Sequence, residues 1–434
     1  MTSNHSSVYP QSNSRFQIPE KILPFWSVIA AFGTYFCMYF YRKPYTAAAF
    51  EMQFGGVGFK TILVTSQVFG YMVAKFIGIR VISEMKPSQR PKGILAMIIG
   101  AEIALLFLAL LPSPLNAICL FLNGLSLGMV FGLVLGYLEG RRQTEALAAG
   151  LCASFILADG MTKTVGGYVL KSGVSESSMP AVTGLLFLLP SCFFVWMLSR
   201  IPAPNLHDKI ARNERGLMTR SDRSAFFRKY AAGLVPLVLC YLFVTIMRSI
   251  RADFAPELWK DLIGSTAAPA IFTQSEFFVT LFVMLASGLS IFIKNNRIAF
   301  LVSLGVSIAG SLIIVLSVFA WVHEILSGFG LMVALGLGLY LPYVAIHTTV
   351  FERFLALTRD KGNVGYLMYL ADSFGYLGYV AVMLWKNYFG SAGNMADFYL
   401  HLCIYLGLAS VVLLLMTIFA FRNIRPVVAN VSSA

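Results

Sequence analysis

Apolar runs of about twenty residues alternate with short polar stretches from Pro24 to Phe421. Gly93 to Leu111 (broken by Glu102), Ala181 to Leu198, Phe300 to Val322 and Phe398 to Phe421 are the clearest. At 1.5 Å of rise per residue, about twenty helical residues cross a hydrocarbon layer of about 30 Å. Backbone groups in lipid must bond within their own structure, and these runs are apolar on all faces instead of alternating. They therefore read as helices and not as barrel strands. The pattern predicts helices over 22–50, 60–83, 93–112, 114–138, 144–171 and 179–199, then over 232–255, 270–293, 298–320, 325–351, 362–386 and 397–421. The expected fold is all-α and integral to the membrane, with about twelve transmembrane helices in two pseudo-symmetric six-helix bundles.

The polar stretches organise these runs. Residues 1–21 form a polar N-terminal segment without an apolar core and small-residue cleavage site, so no signal peptide is expected. The first bundle covers 22–199, a basic linker 200–231, the second bundle 232–421 and a short tail 422–434. Composition agrees: 58% of residues are apolar and 12% charged, against roughly 25% charged in soluble domains. The net charge of +13 is mostly topology. With both termini cytoplasmic, Arg15, Lys21, Lys86, Arg90, Lys92, Arg141, Arg142, the linker, Lys294, Arg297, Arg353, Arg359, Lys361, Arg422 and Arg425 share one face. Lys60, Lys171, Lys260 and Lys386 remain on the other. That asymmetry sets the expected orientation and explains the basic linker without nucleic acid, and the expected location is the cytoplasmic (inner) membrane. The six cysteines lie in apolar segments at irregular spacing and read as packing residues, not as disulfides or zinc ligands.

Two echoes lie about half a chain apart. Tyr35 and Arg42 recur in spacing as Tyr241 and Arg248, and Glu139 before Leu157-Ala158-Asp159 recurs as Glu352 before Leu370-Ala371-Asp372. They point to two parallel halves related by an axis along the membrane normal, the plan of the major facilitator superfamily.

Charges within spans carry the candidate chemistry, because an ionisable group at the bilayer centre costs roughly 2.5–3.5 kcal/mol and normally faces a polar cavity or a partner. Tyr35, Tyr39 and Arg42 share one helical face at i, i+4 and i+7, and Tyr71 and Lys75 do the same at i, i+4. With Arg248 they would line a cationic cavity suited to phosphate or carboxylate. Against this, Arg42, Lys43 and Lys75 can each be read as snorkelling to an interface, and Arg251, Asp253 and Glu257 as loop or interface charges. Asp159 stands four residues before Lys163, the spacing of an intrahelical ion pair. Asp372 has Tyr376 at that spacing and either pairs across helices or couples protons. His347 reads as a satisfied interior histidine, and Glu102 fits no motif.

These residues resemble the organophosphate:inorganic phosphate antiporters of the major facilitator superfamily, which include glycerol-3-phosphate and hexose-phosphate transporters. Tyr35, Tyr39, Arg42-Lys43 matches that family's first-helix pattern, with Pro44 where Asn is usual. Tyr71, Lys75-Phe76 resembles its second-helix segment, and Phe243-Val244, Arg248, Asp253-Phe254, Pro256 its seventh, with Phe254 for a usual Trp. Glu276, Tyr340 with Pro342, and Phe374 to Gly378 around Tyr376 look like further cavity positions. The resemblance implies that Arg42 and Arg248 hold phosphate, assisted by Lys75 and the tyrosines. Lys163 precedes Val165-Gly166-Gly167 where the family places His, substituting a fixed cation for a titratable group. The Gly-x-x-x-Asp-Arg loop is degenerate, with Glu84 and Lys86 nearby.

The expected function is secondary-active transport of a small anionic, phosphate-bearing solute by alternating access, with phosphate exchange, by a monomer without cofactor or metal. The alternatives are a proton-coupled carboxylate transporter using Asp159, Asp372 or Glu276, and a non-transporting sugar-phosphate sensor. No zinc-ligand pair, Gly-x-Ser-x-Gly elbow or Walker loop supports an enzyme or ATP-driven pump. The glycines of Gly124 to Gly136 and Leu331 to Leu341 read as helix-packing positions.

Overall fold

The computed structural model describes residues 18, 19, 21–85, 87–138, 144–202, 218–264, 268–358, 360, 364–389 and 394–423. Glu139, Arg141, Arg142, Lys86, Arg359, Lys361 and most of the linker lie outside them. Among the described residues, twelve long helical segments succeed one another. They are α1 (Leu23–Arg42), α2 (Phe59–Glu84), α3 (Arg90–Leu110), α4 (Ala117–Leu138), α5 (Thr144–Lys171) and α6 (Met179–Leu186 with Leu188–Ser199), then α7 (Arg220–Asp253), α8 (Ala270–Ile291), α9 (Asn296–Val322), α10 (Gly328–Thr358), α11 (Val364–Phe389) and α12 (Met395–Phe421).

Ten of these are long and apolar enough to cross a membrane, and α6, bent by 46° at Phe187, is one more broken span. The remaining one, α5, carries Asp159 and Lys163 at its centre. Large apolar side chains such as Phe107, Phe319 and Phe419 are exposed on the outside of the bundle, a surface that suits lipid and not water. The chain is a multi-pass membrane protein.

Several helix ends differ from the hydropathy reading for local reasons. α1 stops at Arg42 instead of running to 50, because Pro44 has no backbone N–H with which to continue the helical ladder; a 3-10 turn, Pro44–Ala47, follows. α7 starts at Arg220, inside the expected linker, because Thr219 and Asp222 form a reciprocal capping box that seeds a polar first turn. Hydropathy cannot see such a start. A two-stranded hairpin, β1 (Gln53–Phe54) and β2 (Val57–Gly58), joins α1 to α2. Its turn uses Gly55 and Gly56 at φ +57° and +80°, which side-chain-bearing residues rarely adopt. Within α10, Pro342 lies just ahead of a π turn, Ile346–Val350, that contains His347.

The packing of the first six helices recurs in the last six. α1 packs on α5 and α6 as α7 does on α11 and α12; α2 packs on α4 as α8 does on α10; α3 packs on α4 as α9 does on α10. Between the halves, α2 lies against α11 and α5 against α8. The α2/α4 contact needs glycine: a Cβ on Gly124 would sit 2.0 Å from the Gln67 carbonyl oxygen. Gln67 also ties α2 to α1 and α4, donating to the Arg42 carbonyl (2.6 Å) and to Asn123 Oδ1 (2.8 Å). A methyl group at Gly124 is therefore expected to destabilise the fold by roughly 1–3 kcal/mol through overpacking. Thermal unfolding in detergent checks this: Gly124→Ala should melt below the parent, whereas Gly305→Ala, with open space around it, should not.

Candidate functional site

The buried charges gather between the two halves, and most of them are neutralised pairwise. Lys43, just past α1, pairs with Asp253 at the end of α7. Lys60 on α2 reaches Glu257, in the short helix Ala255–Ile263, at 2.6 Å. Lys75 on α2 pairs with Asp372 on α11. All three pairs join one half to the other. Within halves, Lys163 binds Asp159 at 2.6 Å on α5, and Arg251 on α7 binds Glu276 on α8 at 2.6 Å. Removing a partner from such a pair leaves an uncompensated buried charge, so the pairs are mutually obligatory once buried.

Two buried cations stand apart. Arg42 and Arg248, 3% and 7% exposed, form no ion pair among the described residues, and the Nε of each lacks a hydrogen-bond partner. Both are instead cradled by aromatic rings. The Arg42 guanidinium lies 3.8 Å from the centre of the Tyr71 ring, 5.6 Å from Tyr39 and 6.0 Å from Tyr376. Arg248 lies 4.4 Å from Tyr343 and 6.0 Å from Tyr340. Ring quadrupoles hold a cation in place without discharging it, so the electrostatic demand of both groups persists.

Two small cavities, each about 10 Å³ and so tightly closed, meet at Tyr39, Arg42 and Tyr376. The outer one, toward the α1 and α7 C-termini, also has Arg248, Ser249, Asp159 and Asp253 in its wall. The inner one is largely aromatic, with Tyr35, Tyr71, Phe131, Phe155 and Tyr343 around Lys75, Asp372 and His347. The Tyr35 and Tyr71 hydroxyls are 3.5 Å apart. Tyr241 donates to Asp372, and His347 Nε2 lies 4.0 Å from the same carboxylate.

The structure thus brings Tyr35, Tyr39, Arg42, Tyr71, Lys75, Arg248, Asp159, Asp372 and Tyr376 to the cavity walls and sets Tyr340 beside Arg248. It corrects several expectations. Lys75, expected as a free cation, is committed to Asp372, because an unpaired ammonium in this interior would be strongly disfavoured, whereas Lys163 pairs with Asp159 as their spacing led one to expect. Glu276 is the partner of Arg251. Arg251 and Asp253, read as loop or interface charges, are 2% and 0% exposed, and Lys60, assigned to an outer loop, is 4% exposed. Lys43 does not snorkel. His347 is stacked on Tyr343 at 4.9 Å but is not satisfied, since its Nδ1 has no partner. Cys192 is exposed while the other cysteines are buried, and all six are free thiols. Glu102 is buried with neither carboxylate oxygen bonded.

Tyr343 was missed in the sequence although a signal existed: it stands three residues after Tyr340 and four before His347, all on one face of α10. The glycines read as packing positions do pack: Gly124 meets α2, and Gly338 meets Gly310 on α9.

Paired six-helix bundles around a central polar cavity define the major facilitator type of fold. Solved structures share it: a D-xylose-proton symporter at a TM-score of 0.61 and 15% identity, covering 91% of this chain and 96% of that one, and a mutant of the nucleoside transporter NupG at 0.58 and 14%, covering 92% and 100%. The chain belongs to DUF5690, a family of unknown function, which matches residues 44–424. No curated protein matches the sequence.

Proposed function

We propose that this protein is a secondary-active transporter that moves a small phosphate-bearing anion by alternating access, exchanging it for inorganic phosphate. It works as a single chain in the cytoplasmic membrane with both termini inside. The observation that carries the reading is the pair Arg42 and Arg248, buried at the junction of the halves and forming no ion pair with a carboxylate among the described residues. Two uncompensated guanidiniums call for a ligand with two negative charges, and their planar forks fit phosphate oxygens bidentately.

Exchange follows from the same charges. Closing the halves around two unpaired cations costs desolvation, and a bound dianion offsets that cost. The loaded protein therefore reorients faster than the empty one, which favours counterflow over net flow. Arg42 lines both cavities, and the aromatic rings around the inner one offer apolar contact to an organic moiety once the halves part.

Liposomes loaded with inorganic phosphate test the reading. Labelled phosphate should enter only when phosphate is inside, and the Arg42→Ala/Arg248→Ala protein should show none of this uptake. Equal counterflow and net efflux would remove exchange; uptake surviving in the double variant would remove the site. A second reading, proton-coupled carboxylate transport, is favoured by His347 standing 4.0 Å from Asp372. It requires uptake driven by an imposed pH gradient without internal anion.

A further inference from the structure

Three carboxylates stand in the walls of the two cavities, and their hydrogen-bonding states differ. Asp253 has both oxygens engaged, by Lys43 and by the Tyr379 hydroxyl at 2.9 Å. Asp372 likewise accepts from Lys75 on one oxygen and Tyr241 on the other. Asp159 uses only Oδ2, which accepts from Lys163 Nζ at 2.6 Å. Its Oδ1 is buried, unpartnered, and part of a residue 4% exposed in the wall that also holds Arg42 and Arg248. A bare carboxylate oxygen beside an anion site repels any ligand that offers only acceptors. It becomes favourable when the ligand brings an O–H of its own.

We propose that Asp159 Oδ1 accepts a hydrogen bond from the protonated oxygen of hydrogenphosphate, so that the outer cavity selects phosphate over sulfate. This assignment rests on the anion-exchange reading above and names the residue that sets its specificity. Hydrogenphosphate carries two negative charges for the two arginines and one P–OH for the aspartate. Sulfate carries the same charge with no proton to donate, and methyl phosphate dianion likewise has none. Lys163 keeps Oδ2 occupied and so leaves Oδ1 as the acceptor. An ester with a hydroxyl next to its phosphate can present the same donor.

Competition against labelled phosphate exchange in liposomes tests this, with inorganic phosphate, sulfate and methyl phosphate as competitors. The parent protein should prefer phosphate over the other two by roughly 10- to 100-fold, the worth of a hydrogen bond to a charged group. Asp159→Asn, whose amide can donate, should bring phosphate and sulfate to near parity. Asp159→Asn/Lys163→Met keeps the test open should the single variant fold poorly with Lys163 unpaired. Equal competition by sulfate in the parent, or an unchanged ratio in both variants, would overturn the role of Asp159 while leaving anion exchange standing. Absence of phosphate exchange in folded parent protein would overturn the exchange reading and this assignment together.

Discussion

Replacing Arg42 by lysine should depress phosphate exchange by roughly 10- to 100-fold although the charge is preserved. The guanidinium lies 3.8 Å from the Tyr71 ring centre, with Tyr39 and Tyr376 around it. That stack fixes a planar fork so that two parallel N–H groups can meet two phosphate oxygens. An ammonium is a point charge on a flexible stem, and it loses both the stack and the second hydrogen bond. Arg248→Lys should behave alike, since Tyr343 holds Arg248 at 4.4 Å. Concentration dependence of exchange separates the terms: a weaker half-saturation marks lost binding, whereas a lower maximal rate marks slower reorientation. Full activity in either lysine variant would mean that charge alone suffices, and the bidentate site would have to be given up.

Asp253→Ala carries the second large effect, on the fold. Lys43 and Asp253 come from opposite halves and are 6% and 0% exposed. Tyr379 on α11 donates to the second Asp253 oxygen at 2.9 Å. Cutting the side chain back strands a buried ammonium and a buried phenol, for which the expected loss is about 3–5 kcal/mol. Replacing both ends of the pair, Lys43→Met with Asp253→Leu, should recover most of that stability, because a buried ion pair adds little over apolar side chains of similar volume. Melting of Lys43→Met, Asp253→Leu and the double variant in detergent gives the coupling energy directly. A single Asp253→Ala variant as stable as its parent would show that water reaches Lys43 at this end of the bundle. Lys60–Glu257 joins the halves at the same end, as does Thr164, which donates to the Pro269 carbonyl at 2.7 Å. The pair therefore belongs to a group of contacts that closes this side, and breaking it should also favour opening there.

Much of the architecture was legible along the chain. Hydrophobic length marks a span because lipid offers no hydrogen-bond partner, so every crossing segment must be apolar and helical for its whole length. Helix ends were less legible where they rest on local chemistry that hydropathy ignores, as at Pro44 and at the Thr219–Asp222 capping box. Periodicity put Tyr35, Tyr39 and Arg42 on one face, and the spacing of Asp159 and Lys163 matched an intrahelical pair, now seen at 2.6 Å. Both are relations within one turn or two of a single helix, where distance follows directly from sequence spacing.

The sequence by itself determined a membrane-spanning helical protein and the helix faces shared by Tyr35, Tyr39 and Arg42 and by Asp159 and Lys163. Only the tertiary structure decided which of the buried charges are spent on one another. Lys43 with Asp253, Lys60 with Glu257 and Lys75 with Asp372 are matched across the two halves. No local pattern encodes such pairs, because residues far apart in sequence meet only when helices pack. Once they are matched, Arg42 and Arg248 are left at the junction of the halves without an ion pair among the described residues, and these two charges define the candidate site.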